Sequence, residues 1–256
     1  MTSVHVVVPD GIDDPGRPSG GNTYDRQVCR ELGSIGWSVH EHPVPGFWAR
    51  PDAASFAGLA RVVQEIPDGA VVLLDGLIAS TAPDVLLPQA GRLRLIVLVH
   101  MPLGDRPVDD GAVSRERAVL SAAAAVVTTS AWARRRLLEL YSLSADRVHV
   151  ASPGVQAAEL APGSGTGGAL LCVAAVRYEK GHDVLLGALE MVSDLAWRCV
   201  CVGSLDRDPS FVDAVRRRAA HGGLGDRVEF PGALTGAELD RSYAAADLMV
   251  LASRAE

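Results

Sequence analysis

The sequence predicts an α/β chain of two parallel-sheet domains in series. Short apolar runs alternate with helix-period segments along the whole length, the runs read as strands covered on both faces, and a glycine- and proline-rich break near residue 160 interrupts the rhythm before it restarts. In the first half the strands are "VHVVV" at 4–8, "SVHEH", "AVVLLD", "LRLIVLVH", "AAVVTT" and "RVHVA". A helix from Asn22 should bury Tyr24, Val28, Leu32 and Ile35, and amphipathic pieces fall at 53–65, 110–121 and 131–141. These βα units form a domain over 1–155. Residues 156–168, in the stretch "SPGVQAAELAPGSGTGG", lack periodicity and read as a linker. The second domain, 169–256, has strands at 169–176, 197–202, 227–231 and 248–251, and helices at 182–192, 210–220 and 237–245. With four strands and no closing helix it reads as incomplete, and the chain as a fragment.

Composition excludes several classes. Of 256 residues, 48% are hydrophobic and 21% charged, so a full core is expected. The formal charge of −7 argues against general affinity for nucleic acid and leaves any anion site local. No apolar run approaches the roughly 20 residues that span a bilayer, and "MTSVHVVVPDG" lacks the basic start of a secretory signal, so a cytosolic location is expected. Among the four cysteines, Cys199 and Cys201 share one strand face, while Cys29 and Cys172 stand isolated in apolar contexts. C-x-C without further Cys or His nearby is not a zinc spacing, so core packing and no metal are expected.

Several motifs carry chemistry. Gly163, Gly165 and Gly168 satisfy G-x-G-x-x-G but precede a strand rather than following one, which disqualifies them as a dinucleotide loop. Gly20 and Gly21 follow the first strand, and Asn22 opens a helix as its N-cap with Asp25 three residues on. Free amides there attract a phosphate or polar ligand, although an ordinary βα loop looks the same. His100 ends a strand, where the ligand crevice of an open parallel sheet lies; the alternative is a histidine satisfied by neighbouring backbone. His5 and His149 read as structural, and Arg134, Arg135 and Arg136 as a solvated helical face. Arg177 and Lys180 stand in a strand-to-helix loop with Gly181, before a helix whose buried stripe is Val184, Leu185, Ala188, Leu189 and Val192. Point charge, guanidinium fork and helix-start amides together suit a diphosphate, against the alternative of a surface turn with incidental charge.

The stretches "VAAVRYEKGHDVLLGAL", "GGNTYDRQVCREL", "VVTTSAWARRRLLELY" with "RVHVASPGV", and "AAADLMVLASRAE" together resemble family 4 glycosyltransferases, in the family's order and over nearly the whole chain. The resemblance implies a GT-B fold of two Rossmann-like domains facing across a cleft, the second incomplete here. It implies sugar transfer from a nucleotide-diphosphate sugar with retention, no metal, and no cofactor beyond that co-substrate. Carried over by position, Lys180 and Arg177 hold the donor diphosphate with Gly20 and Gly21 facing it, and His100 and Glu256 act at the reacting sugar. Gly203, Phe230, Pro231 and Gly232 line the nucleotide pocket. Ala174 and Ala175 stand where the family has Gly-Arg, and the chain ends on the first glutamate of the E-x7-E motif. The acceptor is an unidentified small molecule, glycan or lipid, with room for peripheral membrane contact by the full-length protein. Two competing readings are a non-catalytic nucleotide- or sugar-binding fragment, inert truncation included, and a nucleotide-dependent dehydrogenase. The second is disfavoured because neither first strand is followed by the dinucleotide fingerprint.

Overall fold

The computed structural model describes residues 2–254 apart from 17, 106, 108 and 156. The chain divides into two units, Met1–Asp13 with Ser19–Val155 and Asp14–Pro18 with Gln156–Glu256. Each is built on a parallel sheet.

The first unit runs β1 (Ser3–Pro9), α1 (Gly20–Ser34), β2 (Ser38–Val44), α2 (Ala53–Glu65), β3 (Val71–Asp75), α3 (Gly76–Thr81), α4 (Pro83–Leu86), β4 (Arg94–Val99), α5 (Ala112–Ala122), β5 (Ala125–Thr128), α6 (Ala131–Tyr141) and β6 (Val148–Val150). Its sheet order is β2-β1-β3-β4-β5-β6, all neighbours parallel. The chain leaves β1 toward β2 and returns to β1's other side as β3, so the loops after β1 and β3 diverge. That is the switch point at which an open sheet presents a crevice. Val72, Leu74, Val97 and Val99 are fully covered in the core, as central strands require. Asp52 and Ser130 cap α2 and α6, accepting from the amides of Ser55 and Ala133.

The second unit runs β7 (Ala169–Val173), α7 (His182–Glu190), β8 (Arg198–Val202), α8 (Pro209–His221), β9 (Val228–Gly232), α9 (Gly236–Ala245) and β10 (Leu248–Met249). Its order is β10-β7-β8-β9, which places a second switch point between β7 and β10. Asp247 ties the glycine-rich approach to β7, accepting from the amides of Ser164 and Ala169.

Several boundaries differ from expectation. Helix α1 starts at Gly20 with Ser19 as its cap, not at Asn22. It buries Asp25 and Cys29, whereas Ile35 lies past its last turn and is 69% exposed. Tyr24 leaves the core stripe because its hydroxyl donates to the Ala151 carbonyl. In α7 the buried set is His182, Leu185, Leu186 and Leu189; Val184 is exposed and Val192 falls beyond the helix end. The short helices α3 and α4 were not expected, since "GLIAST" is apolar without a period. Phe230 to Gly232 belong to edge strand β9 rather than to a turn, an edge being where a proline costs no ladder bond.

Candidate functional site

In the first unit, three groups converge at the carboxyl ends of β3 and β4. His100 follows β4, and its Nε2 lies 2.9 Å from Oδ1 of Asp25 on α1 and 3.9 Å from Oδ2 of Asp75, the last residue of β3. Asp25 and Asp75 are buried and His100 half-buried. Gly21 makes room for this: a Cβ there would stand 3.2 Å from His100 Cδ2. Tyr24 packs edge-on against the imidazole at 5.5 Å, and Thr129 Oγ1 donates to the His100 carbonyl. Sequence reasoning singled out His100 and missed the role of both carboxylates. Asp25 resembled a helix-start residue and Asp75 an ordinary strand end.

The electrostatics follow from burial. Desolvation pushes the Asp75 carboxyl up to about 7, helped by the neighbouring Asp25. Burial also opposes charge on His100, but the hydrogen bond and charge of Asp25, with a smaller contribution from Asp75, outweigh it and hold the imidazole above its ordinary value. Asp75 Oδ1 accepts from the amides of Leu77 and Ile78, capping α3. Asp25 Oδ2 is buried without a hydrogen-bond partner. The set is therefore an imidazole oriented by Asp25, with the Asp75 carboxyl beside it.

The backbone beyond His100 is fixed by a third buried carboxylate. Glu116 on α5 accepts from the amides of Leu103 and Gly104, from Ser80 Oγ and from the Tyr141 hydroxyl. Burial and this bond to Glu116 push the Tyr141 hydroxyl far up. The arginine run on α6 is not a free solvated face: Arg134 donates to the carbonyls of Val148 and Ala145, Arg136 pairs with Asp105, and Arg135 alone is exposed. His5 stacks on His40 and His42, its Nδ1 2.9 Å from His42 Nε2.

In the second unit the loop after β7 forms a 3₁₀ turn, Tyr178–Lys180, and enters α7 through Gly181. Gly181 has φ +65°, and a Cβ there would stand 1.9 Å from the Ala252 carbonyl oxygen, so no other residue fits. Arg254, beyond β10, clamps this turn. Its guanidinium donates to the Tyr178 carbonyl and to both carboxylate oxygens of Asp183 and lies over the Tyr178 ring at 4.1 Å, while its amide donates to the Glu179 carbonyl. Arg254 holds the Asp183 carboxyl below the usual carboxylate range. Lys180 is half-buried at this turn; Arg177 is more exposed and pairs with Glu179 at 3.2 Å. The Arg254 clamp was not foreseen, because nothing in "SRAE" points to a segment 71 residues upstream.

Gly203 ends β8 against the β7 end: its amide donates to the Gly232 carbonyl, and a Cβ on it would meet the Ala174 carbonyl oxygen at 1.9 Å. Gly203 and Gly232 are thus adjacent, with Phe230 half-buried and Pro231 exposed. Glu256 lies outside the described residues. Cavities of about 620 Å³ and about 510 Å³ occur elsewhere, the first beside Arg50, Asp84 and Arg115, the second beside Val200, Glu238 and Arg241. Neither lining includes Asp25, Asp75, His100 or Lys180.

The switch-point loop of the second unit lies in a segment that matches a family model. Residues 167–256 match the model described as Glycosyl transferases group 1. That match covers the β7–β10 sheet and the turn that carries Lys180. The chain is also 29% identical over 201 residues to D-inositol 3-phosphate glycosyltransferase 1 of Catenulispora acidiphila, an alignment covering 70% of this chain and 47% of that protein. The chain spans about half the length of the curated relatives it matches. In fold it resembles sucrose-phosphate synthase from Thermosynechococcus elongatus, with a TM-score of 0.72 at 18% identity over 99% of this chain and 76% of that one. It also resembles Anabaena HepE in complex with UDP and glucose, with a TM-score of 0.71 at 15% identity over 99% and 74% of the two chains. The two parallel sheets are those of the GT-B type. Among the described residues no helix is long and apolar enough to cross a membrane.

Proposed function

We propose that the chain is part of a cytosolic glycosyltransferase that moves a sugar from a nucleoside diphosphate sugar to an acceptor hydroxyl, with retention and with no metal taking part in the transfer step. One observation carries this reading: the half-buried Lys180, on a turn braced by Arg254 at the start of α7, within the segment that matches the group 1 family. Departure of a nucleoside diphosphate leaves negative charge on its terminal phosphate. A fixed ammonium and free helix amides stabilise that charge as it grows. HepE, whose structure was solved with UDP and glucose, makes a uridine nucleotide the first donor to try.

For His100, in the first unit, the reading rests on the resemblance alone: its ring, with positive charge favoured by the Asp25 bond, would hold a sugar hydroxyl. Retention, as the resemblance implies it, corresponds to attack by the acceptor oxygen from the side of the departing group. The C1–O bond to phosphate breaks as the new C1–O bond forms, and the acceptor proton passes to the departing phosphate oxygen.

Calorimetry with UDP, and transfer from radiolabelled UDP-glucose with inositol 3-phosphate as the first acceptor, test the proposal. Lys180→Ala should weaken UDP binding or turnover at least about tenfold; unchanged binding and turnover would remove Lys180 from the site. UDP binding without transfer to any of a panel of acceptors would favour the second reading, a nucleotide-binding module.

A further inference from the structure

The sheet of the second unit brings together side chains that lie far apart in sequence. Cys172 on β7 and Cys201 on β8 are register partners, and His182 opens α7 over them. One donor atom from each lies within 4.8 Å of the others, with Cys172 Sγ 3.7 Å from His182 Nε2. All three are about 1% exposed. Cys199 is on the same strand face, its Sγ 3.9 Å from that of Cys201. His182 Nδ1 is buried with no hydrogen-bond partner, so the polar contact of the ring is the one its Nε2 makes with Cys172. The expectation that Cys172 stands isolated and that no histidine is near the thiols is therefore corrected: strand pairing and the helix start assemble what linear spacing concealed.

We propose that Cys172, Cys201 and His182 form a binding site for a borderline-soft divalent ion of the zinc type, with Cys199 the nearest candidate for a fourth ligand. A zinc ion with Zn–S of about 2.3 Å and Zn–N of about 2.0 Å holds its donors roughly 3.5–3.8 Å apart in a tetrahedron. The separations of 3.7 Å and 3.9 Å on two edges of the cluster fall close to that span. Two thiolates and a neutral imidazole around a divalent cation make a complex of zero net charge, the form that the apolar surroundings of Leu185, Leu186 and Leu189 tolerate. Loading displaces two protons from the cluster, so affinity should rise with pH. The Cys172–Cys201 contact lowers the Cys172 thiol and raises that of Cys201, so the two thiols share one hydrogen bond across the strand pair. Because His182 is two residues from Lys180, a bound ion would brace the turn that presents it. The site stands independently of the sugar-transfer reading.

The full chain, expressed in cobalt-supplemented medium or refolded under reductant with Zn²⁺ or Co²⁺ alone, tests the site. The expected result is one equivalent of metal retained after desalting, a sulfur-to-cobalt charge-transfer band with the strong visible absorption of tetrahedral Co²⁺, and a melting temperature raised by several degrees. Cys172→Ala and Cys201→Val, which conserve packing, should each lower metal affinity at least about tenfold, and Cys29→Ala should leave it unchanged. No charge-transfer band with no retained zinc would overturn the proposal. So would metal binding that survives both cluster substitutions.

Discussion

His100 Nε2 lies 2.9 Å from Asp25 Oδ1, joining the end of β4 to a carboxylate buried on α1, 75 residues earlier. A neutral partner in place of Asp25 keeps the shape and removes the charge that favours the imidazolium. Asp25→Asn should therefore lower the His100 titration midpoint, read by NMR of its ring proton. It should cut turnover more than donor affinity if the charge acts on the reacting sugar. An unmoved midpoint would show that the bond does not set the protonation of His100.

The same cluster sets a pH dependence of stability. Asp75 is raised from 3.8 to about 7, so the folded chain binds more protons than the unfolded chain between those values, and stability falls as the pH rises across that window. His100 is raised above 6.5 in the folded state, so its contribution is fully present below 6.5 and is lost as the pH climbs through the folded value. Both act in one direction. The contribution of this cluster to the urea midpoint should fall between pH 5 and 8, against the opposite trend from His5 and His42, whose values are lowered in the fold. Asp75→Asn, which keeps an oxygen for the α3 amides, should flatten that fall and raise stability at pH 8 by about 1–3 kcal/mol.

Arg254 touches Tyr178, Glu179 and Asp183, and none of these contacts needs substrate. Arg254→Ala should loosen the Lys180 turn and raise the KM for the donor severalfold with a smaller change in kcat, and Arg254→Lys should recover little because a single ammonium cannot replace the fork. Equal losses for donor binding and for overall melting temperature would indicate a purely structural role.

Gly203→Ala should be among the costliest single changes in the second unit. The added methyl would collide with the Ala174 carbonyl oxygen, a backbone atom that cannot swing away. A loss of about 2–4 kcal/mol is expected from strand displacement at β7 and β8. Chemical denaturation of the variant measures it, with Gly20→Ala, where no atom lies within 4 Å, as the mild control.

The strands were legible because their apolar runs have the length and punctuation of buried parallel strands, and His100 stood out because a polar residue terminates one of them. Asp25 and Asp75 were not legible as partners. Their meaning depends on which strands neighbour each other, and the order β2-β1-β3-β4 is not written in any local pattern. The Cys172, His182 and Cys201 cluster was hidden for the same reason, since a sheet contact and a helix start join residues at irregular intervals. That Lys180 lies in a strand-to-helix loop was legible, but the Arg254 clamp depends on β10 lying beside β7.

The contact between His100 and Asp25 also acts as a gauge of strand alignment. Asp75 pairs with Leu98, so His100 emerges two residues past its neighbour's end, on the side where α1 waits. A slip of β4 by a single residue would turn the imidazole to the opposite face of the sheet and leave Asp25 buried with nothing to hold. The misaligned form would carry an uncompensated charge in its interior, and so the polar cluster penalises a folding error that the uniformly apolar strands "VVLLD" and "RLIVLV" could not detect by themselves.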